Sequence, residues 1–286
     1  MVFIGAHISR EKTLLATLNK IKDNNGNALQ IFASNPRSTK ITNINPTFFE
    51  NINEIKTFIN KNKFSLVIHS PYTINLASKF IINKRQIDIK ECYWIQLLIH
   101  ELKIAHTLGA YGCVVHCGKY TTNSIKNGVD NMKTSLDFII AEIEEQKLNS
   151  KIVLETSSGQ GTELLFNYDE FLKFYNSFTN SQKKYIKICI DTCHIWAANY
   201  EFDEIFTLTK KYNNINDVAI IHINNSKNPK GSHLDRHETI TNPKGHIDIY
   251  ELKKFVKNMC NNNSNITLII ETPSNNIIDD FELILN

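Results

Sequence analysis

Eight times along its 286 residues the chain repeats one pattern, a short, β-branched apolar run followed by a longer stretch of helical period. The runs are Val2 to Ile8, Ala28 to Ala33, Ser65 to His69, Cys113 to His116, Lys151 to Glu155, Ile186 to Asp191, Val218 to Ile223 and Thr267 to Glu271. Helical periodicity falls near residues 11–24, 47–62, 84–108, 124–147, 168–180, 202–213, 247–261 and 276–285. Runs with little polar alternation are buried on both faces, as strands of a helix-covered parallel sheet are. Eight such units are the number that closes a (β/α)8 TIM barrel, and at 42% hydrophobic residues the chain can bury a core of that size. One barrel domain over residues 1–286 is therefore expected. An open doubly wound sheet fits less well, because no Gly-x-Gly-x-x-Gly follows the first run. The stretch Asn261 to Asn265 reads as a solvated loop before the last strand.

Charge does not name a partner. With 32 Lys+Arg against 29 Asp+Glu the net charge is +3, so any anion binding must be local. The six Cys form no Cys-x-x-Cys pair, which argues against a zinc ribbon and leaves free thiols as the expectation, with Cys113/Cys117 and Cys189/Cys193 as the nearest pairs for redox work. No basic stretch followed by an apolar run opens the chain, and no apolar run is long enough to span a bilayer. A soluble intracellular protein is expected, cytoplasmic, or in a nucleus or virion depending on the organism.

The chemistry lies in where the polar residues fall. His7, Gln30, His69, His116, Glu155, Asp191 with His194, His222 and Glu271 sit at the ends of successive runs. In a parallel barrel those positions converge on one face, where active sites of this fold are built. Imidazoles and carboxylates without a matching Cys set suit zinc, manganese or iron. Asp191 and His194 lie across a turn from each other and can serve neighbouring metals, while Asp235 and His237 project to one side of an extended segment and Arg236 to the other.

Together His69, His116, Glu155, Asp191, His194, His222, Asp235, His237 and Glu271 make five imidazoles and four carboxylates. Nine ligands are too many for one or two metals and suit about three, given a bridging carboxylate and open positions. Three divalent cations against four carboxylates would leave roughly two positive charges in the cleft, which favours an anion such as a phosphodiester.

With these residues the sequence resembles the endonuclease IV family of apurinic/apyrimidinic (AP) endonucleases, from end to end. The matching segments are Gly5-Ala6-His7-Ile8-Ser9, His69-Ser70-Pro71-Tyr72-Thr73-Ile74-Asn75-Leu76, Glu155-Thr156 with Gly159-Gln160-Gly161, Ile190 to His194, His222 to Lys227, Asp235-Arg236-His237, Gly245-His246-Ile247 and Glu271-Thr272. The resemblance implies three zinc ions, with manganese or iron as an alternative at one position. His69, His116 and Glu155 would hold the first, and Glu155 would bridge to a second held by Asp191, His222 and Glu271. His194, Asp235 and His237 would hold the third. It further implies a base-excision-repair hydrolase, with Glu155, Asp191 and Glu271 in the catalytic set. Such an enzyme cuts duplex DNA on the 5′ side of an abasic site, leaving a 3′-hydroxyl and a 5′-deoxyribose phosphate, and also repairs blocked 3′ ends.

By the same resemblance the chain is a monomer, Asn35, Arg37 and Tyr72 enter the gap left by the missing base, Arg236 contacts DNA, and His7 supports the metal ligands from behind. Three departures stand out. Ser38 occupies a position where many relatives have Gln, His116-Cys117-Gly118 replaces the common His-Pro-Gly, and the segment 242–248 lacks the outer glycines. His100, His106 and His233 are expected to stay outside the metal site. Two rival readings share the scaffold: a metal-dependent sugar isomerase or epimerase, which needs only one or two metals, and a DNA-binding homologue that has lost activity.

Overall fold

A computed structural model describes residues 2–41, 51–273, 280, 281, 283 and 284. Eight parallel strands close into a barrel: β1 (Phe3–His7), β2 (Ala28–Phe32), β3 (Ser65–His69), β4 (Gly112–His116), β5 (Lys151–Glu155), β6 (Ile186–Asp191), β7 (Val218–Ile223) and β8 (Thr267–Ile270). Each strand pairs with its chain neighbours, and β1 closes the ring by pairing with both β8 and β2. The fold is a (β/α)8 TIM barrel, which excludes the open doubly wound sheet. Helices α1 (Leu14–Asp23), α2 (Ile52–Asn62), α3 (Tyr93–Leu108), α4 (Ile125–Glu145), α5 (Tyr168–Asn176), α6 (Thr192–Ala197), α7 (Phe202–Lys211) and α8 (Ile249–Asn262) lie between the strands. No helix among the described residues is long and apolar enough to cross a membrane.

Strand periodicity builds the site and its floor at once, because side chains two residues apart share a face. Gln30, His69, His116, Glu155, Asp191, His222 and Glu271 point into the mouth. Two residues below them, Ala28, Val67, Val114, Val153, Cys189, Ile220 and Ile269 pack into one buried cluster that plugs the barrel. Opposite faces of the strands pack against the helices in a larger core that includes Leu14, Leu18, Ile31, Ile68, Leu98, Leu136, Phe171 and Phe255. Beneath His7 stands Gly5, where a Cβ would lie 1.6 Å from the Ala28 carbonyl oxygen. Only glycine lets β2 approach β1 there.

Four expectations need correcting. Helical structure expected from residue 84 begins at Tyr93; before it come a two-stranded ribbon, Ile81–Ile82 against Arg85–Gln86, and a single turn at Ile89–Glu91. The helix expected over 168–180 ends at Asn176. His194 lies in the short helix α6 instead of a turn, because Asp191 Oδ1 accepts from the His194 amide (2.9 Å) and caps a helix that starts at the strand end. Asn263 is buried, and its Nδ2 donates to the carbonyls of Ile215 and Val218 (both 2.9 Å), so this Asn-rich stretch is partly a structural tie. The expected helix over 276–285 falls mostly outside the described residues.

Candidate metal centre

At the mouth, one ligand atom from each of nine residues falls into three groups, within each of which the atoms lie within 4.8 Å of one another: His69, His116 and Glu155; Glu155, Asp191, His222 and Glu271; His194, Asp235 and His237. Glu155 belongs to two of them. Its Oε2 is 3.5 Å from His69 Nε2 and 3.0 Å from His116 Nε2, while its Oε1 is 2.9 Å from His222 Nδ1. In the second group His222 Nδ1 also lies 3.1 Å from Glu271 Oε2 and 3.7 Å from Asp191 Oδ2. In the third, Asp235 reaches His194 Nε2 at 3.2 Å and His237 Nε2 at 3.1 Å. A cleft of about 240 Å³ lies over these side chains.

Outer nitrogens of the imidazoles are tied down so that the inner ones converge. His69 Nδ1 donates to Ser70 O (2.9 Å), His194 Nδ1 to Thr156 O (2.7 Å) and His237 Nδ1 to Glu271 O (3.4 Å). Gln30 Nε2 donates to the Glu271 carboxylate (2.5 Å), which leaves its Oε1 to accept from His222 Nε2 (3.0 Å) and turns His222 Nδ1 inward. His7 Nδ1 lies 3.1 Å from the same Glu271 oxygen. Asn224 Nδ2 donates to Asp191 Oδ2 (2.7 Å), and Thr156 Oγ1 accepts from the Asp191 amide (3.0 Å). Such supports fix tautomer and ring direction at metal sites.

Electrostatics show the same convergence. Burial alone would raise the Glu155 carboxyl, yet the imidazoles of His116 and His222 hold it well below the ordinary carboxylate range. Burial opposes a proton on His222, but Cys189, Glu271 and Glu155 raise its affinity for one well above normal. Burial likewise opposes a proton on His237, and Asp191 and Asp235 overcome it, pushing the imidazole up to about 9. These groups compete for positive charge. Glu155 Oε2 and His237 Nε2 are buried and, although ion-paired with His116 and Asp235, have no hydrogen bond of good geometry, as donor atoms converging on a cation site do. Cys189 and Cys193 also lie beside these groups, and burial pushes both thiols up to about 12. All six cysteines are free.

Residues expected at the DNA lie around this centre. Tyr72 is 60% exposed, its ring 5.2 Å from Phe32 and 5.8 Å from His69. Arg37 is exposed, and its amide donates to Asn35 Oδ1 (3.0 Å), so Asn35 shapes the loop that presents it. Ser38 O accepts from Thr73 Oγ1 (2.8 Å) and Pro36 O from the Tyr72 amide (2.9 Å), which joins the two loops. Arg236 is exposed and donates to Gln160 Oε1 (3.2 Å). Gly159 and Gly161, both with positive φ (84° and 65°), carry Gln160, and a Cβ on Gly159 would sit 2.5 Å from His233 Nδ1. A groove of about 530 Å³ adjoins the cleft and is lined by Asn75, Lys119, Gln160, Lys227 and Arg236 among others. In segment 242–248 the remaining glycine, Gly245, rests against Asn225, whose Oδ1 accepts from the Ile247 amide (2.8 Å).

His106 accepts from the Asn149 amide on the barrel's outside, and His233 Nδ1 pairs with Ser158 O. Sequence reasoning assigns no role to Gln30, Thr156 or Asn224. Gln30 stands in the row of strand-end polar residues, and Thr156 and Asn224 each follow a ligand or lie two residues past one, the one signal that points to them.

The family described as xylose isomerase-like TIM barrel matches residues 18–284. The protein named probable endonuclease 4 of Mycoplasma capricolum is 31% identical over 278 residues, 95% of this chain and 91% of that protein. Among solved structures, endonuclease IV from Thermus thermophilus superposes with a TM-score of 0.73 at 21% identity, covering 99% of this chain and 96% of that one. A D-tagatose 3-epimerase-like protein superposes with a TM-score of 0.68 at 19% identity, covering 99% and 95%.

Proposed function

The chain belongs to the endonuclease IV family of xylose isomerase-like TIM barrels, and from that footing we propose that it is a zinc-dependent AP endonuclease of base excision repair. It cuts duplex DNA 5′ to an abasic site, leaving a 3′-hydroxyl and a 5′-deoxyribose phosphate, and clears blocked 3′ ends. One observation carries this reading: nine nitrogen and oxygen donors in three groups, two of them sharing Glu155, with Glu155 Oε2 and His237 Nε2 buried without a hydrogen bond of good geometry. The donor set fits zinc, with manganese or iron as substitutes at one position. His69, His116 and Glu155 would hold one ion, Glu155, Asp191, His222 and Glu271 a second, and His194, Asp235 and His237 the third.

When bound, the ions supply Lewis acidity and positive charge to a phosphodiester. The chain's own residues do the rest. Glu155 sets the spacing of the two groups that share it, and Gln30, Ser70, Thr156, Asn224 and His7 hold the ligands in register. Lys119, Lys227 and Arg236 attract the backbone along the groove. Asn35, Arg37 and Tyr72 fill the gap where no base stacks, which makes an abasic nucleotide the cheapest to turn out. The barrel works as one domain and as a monomer.

The test is incision of a duplex bearing one tetrahydrofuran abasic analogue, after metal analysis of the purified protein. A single 5′ cut, about three zinc ions per chain and loss of cutting with chelator are expected. About one metal per chain with turnover of free ketoses would replace this reading with the sugar epimerase.

A further inference from the structure

Between β3 and α3 the chain builds a two-stranded ribbon that the metal centre does not use. Ile81 pairs with Gln86 and Ile82 with Arg85, and the turn residues Asn83 and Lys84 both have positive φ (50° and 65°), the type I′ geometry of two-residue hairpins. All six residues are exposed, Ile81 by 50% and Ile82 by 39%. A ribbon this short adds little stability in water, and Lys84 occupies a left-handed position that glycine would fill without strain. A cation is thus held at the tip in spite of the backbone's preference.

The base of the ribbon is anchored. Lys79 Nζ donates to Thr122 O (3.0 Å), the Ile87 amide to Phe80 O (3.0 Å), and Asn131 Nδ2 on α4 to Ser78 O (3.1 Å). The Asn75 side chain accepts from the Lys119 amide (2.8 Å) and donates to Lys119 O (2.9 Å). Asn75 and Lys119 line the groove beside the metal centre, so ribbon and groove share a rim. From Lys79 to Glu91 the chain carries Lys79, Lys84, Arg85 and Lys90 against Asp88 and Glu91, a local excess of two positive charges. Side chains alternate along each strand, which puts Ile82 and Arg85 on one face of the ribbon.

Resting on the endonuclease reading above, we infer that this ribbon is an arm that grips the sugar-phosphate backbone of the duplex flanking the cut. Lys84 and Arg85 meet phosphates, and Ile82, on the face of Arg85, lies against deoxyribose. Charge complementarity selects the phosphate backbone, and continuity with the groove places a flank of the same duplex beside the ribbon.

The test compares wild type with Lys84→Ala/Arg85→Ala and Lys84→Glu/Arg85→Glu, measuring duplex binding across a salt series and incision on substrates with long and trimmed flanks. With the alanine pair the slope of log affinity against log salt should fall by about two, at about 0.9 per phosphate contact. KM on the long substrate should rise about tenfold with kcat unchanged, the gap should close on the trimmed flank, and charge reversal should widen it. Unchanged slope and KM in both variants would overturn the arm. A wild-type chain that binds duplex but never cuts sinks the endonuclease reading and leaves the slopes to decide the arm. No salt-dependent binding to any duplex sinks both.

Discussion

Gln30 on β2 and His222 on β7 meet across the barrel mouth, His222 Nε2 donating to Gln30 Oε1 at 3.0 Å while Gln30 Nε2 donates to Glu271. One neutral amide thereby sets the direction of an imidazole and a carboxylate that face the same space. Gln30→Ala should leave the fold intact and lower zinc affinity and incision about 10- to 100-fold, the usual scale for lost outer supports. Gln30→Glu should be worse, because its carboxylate would face that of Glu271. Metal content after dialysis against a graded chelator is the readout, and wild-type retention in the alanine variant would remove Gln30 from the site.

Glu155 is the pivot between two ligand groups. Glu155→Gln keeps its shape and loses its charge, so incision should fall by more than about a thousandfold, with fewer than three metals per chain. Circular dichroism should stay unchanged. A Gln variant that cuts like wild type would dismantle the three-metal arrangement.

Metal binding should be strongly pH-dependent. In the metal-free chain His237 titrates near 9, so at pH 7 it carries a proton that a metal must displace. Zinc uptake at pH 7 should release protons, and affinity should climb as pH rises toward 9. The sign for stability is opposite: a histidine raised from 6.5 to about 9 stabilises the metal-free fold fully below pH 6.5 and loses that contribution as pH rises through 9. Calorimetry in two buffers of different ionisation enthalpy checks the first point. Proton-neutral binding would contradict it.

Away from the site, Glu101 on α3 is completely buried, and burial raises its carboxyl to about 7, the Ser34 hydroxyl pulling the other way. Raised from 4.5, it favours the fold while protonated, and that advantage is lost as pH climbs through 7. The shift corresponds to at most about 3 kcal/mol. Glu101→Gln should raise the melting temperature at pH 8 and flatten its fall between pH 5 and 8. An unaltered pH profile would show that Glu101 does not titrate in this range.

Much of the molecule was readable from residue order because the barrel is local in its logic. Each β-branched run is one strand, and the period of two puts Val67 under His69 and Val153 under Glu155 without any reference to distant contacts. The nine candidate ligands stood at run ends or in Asp-Arg-His, and the fold collects all nine at one mouth. Local competition was harder to see. Residues 84–86, expected to open a helix, instead form the turn and second strand of a ribbon, and Asp191 turns what looked like a loop into helix α6 by capping it.

What residue order alone determined was which side chains face the mouth, since alternation along a strand is a property of the backbone. What only the tertiary structure decided was how those side chains are aimed. Gln30 is separated from His222 by 192 residues and from Glu271 by 241, Thr156 from His194 by 38, and Asn224 from Asp191 by 33. Closing the barrel brings these pairs to hydrogen-bond distance, and there the orientation of each ring nitrogen, and the carboxylates that raise its affinity for positive charge against the cost of burial, are settled.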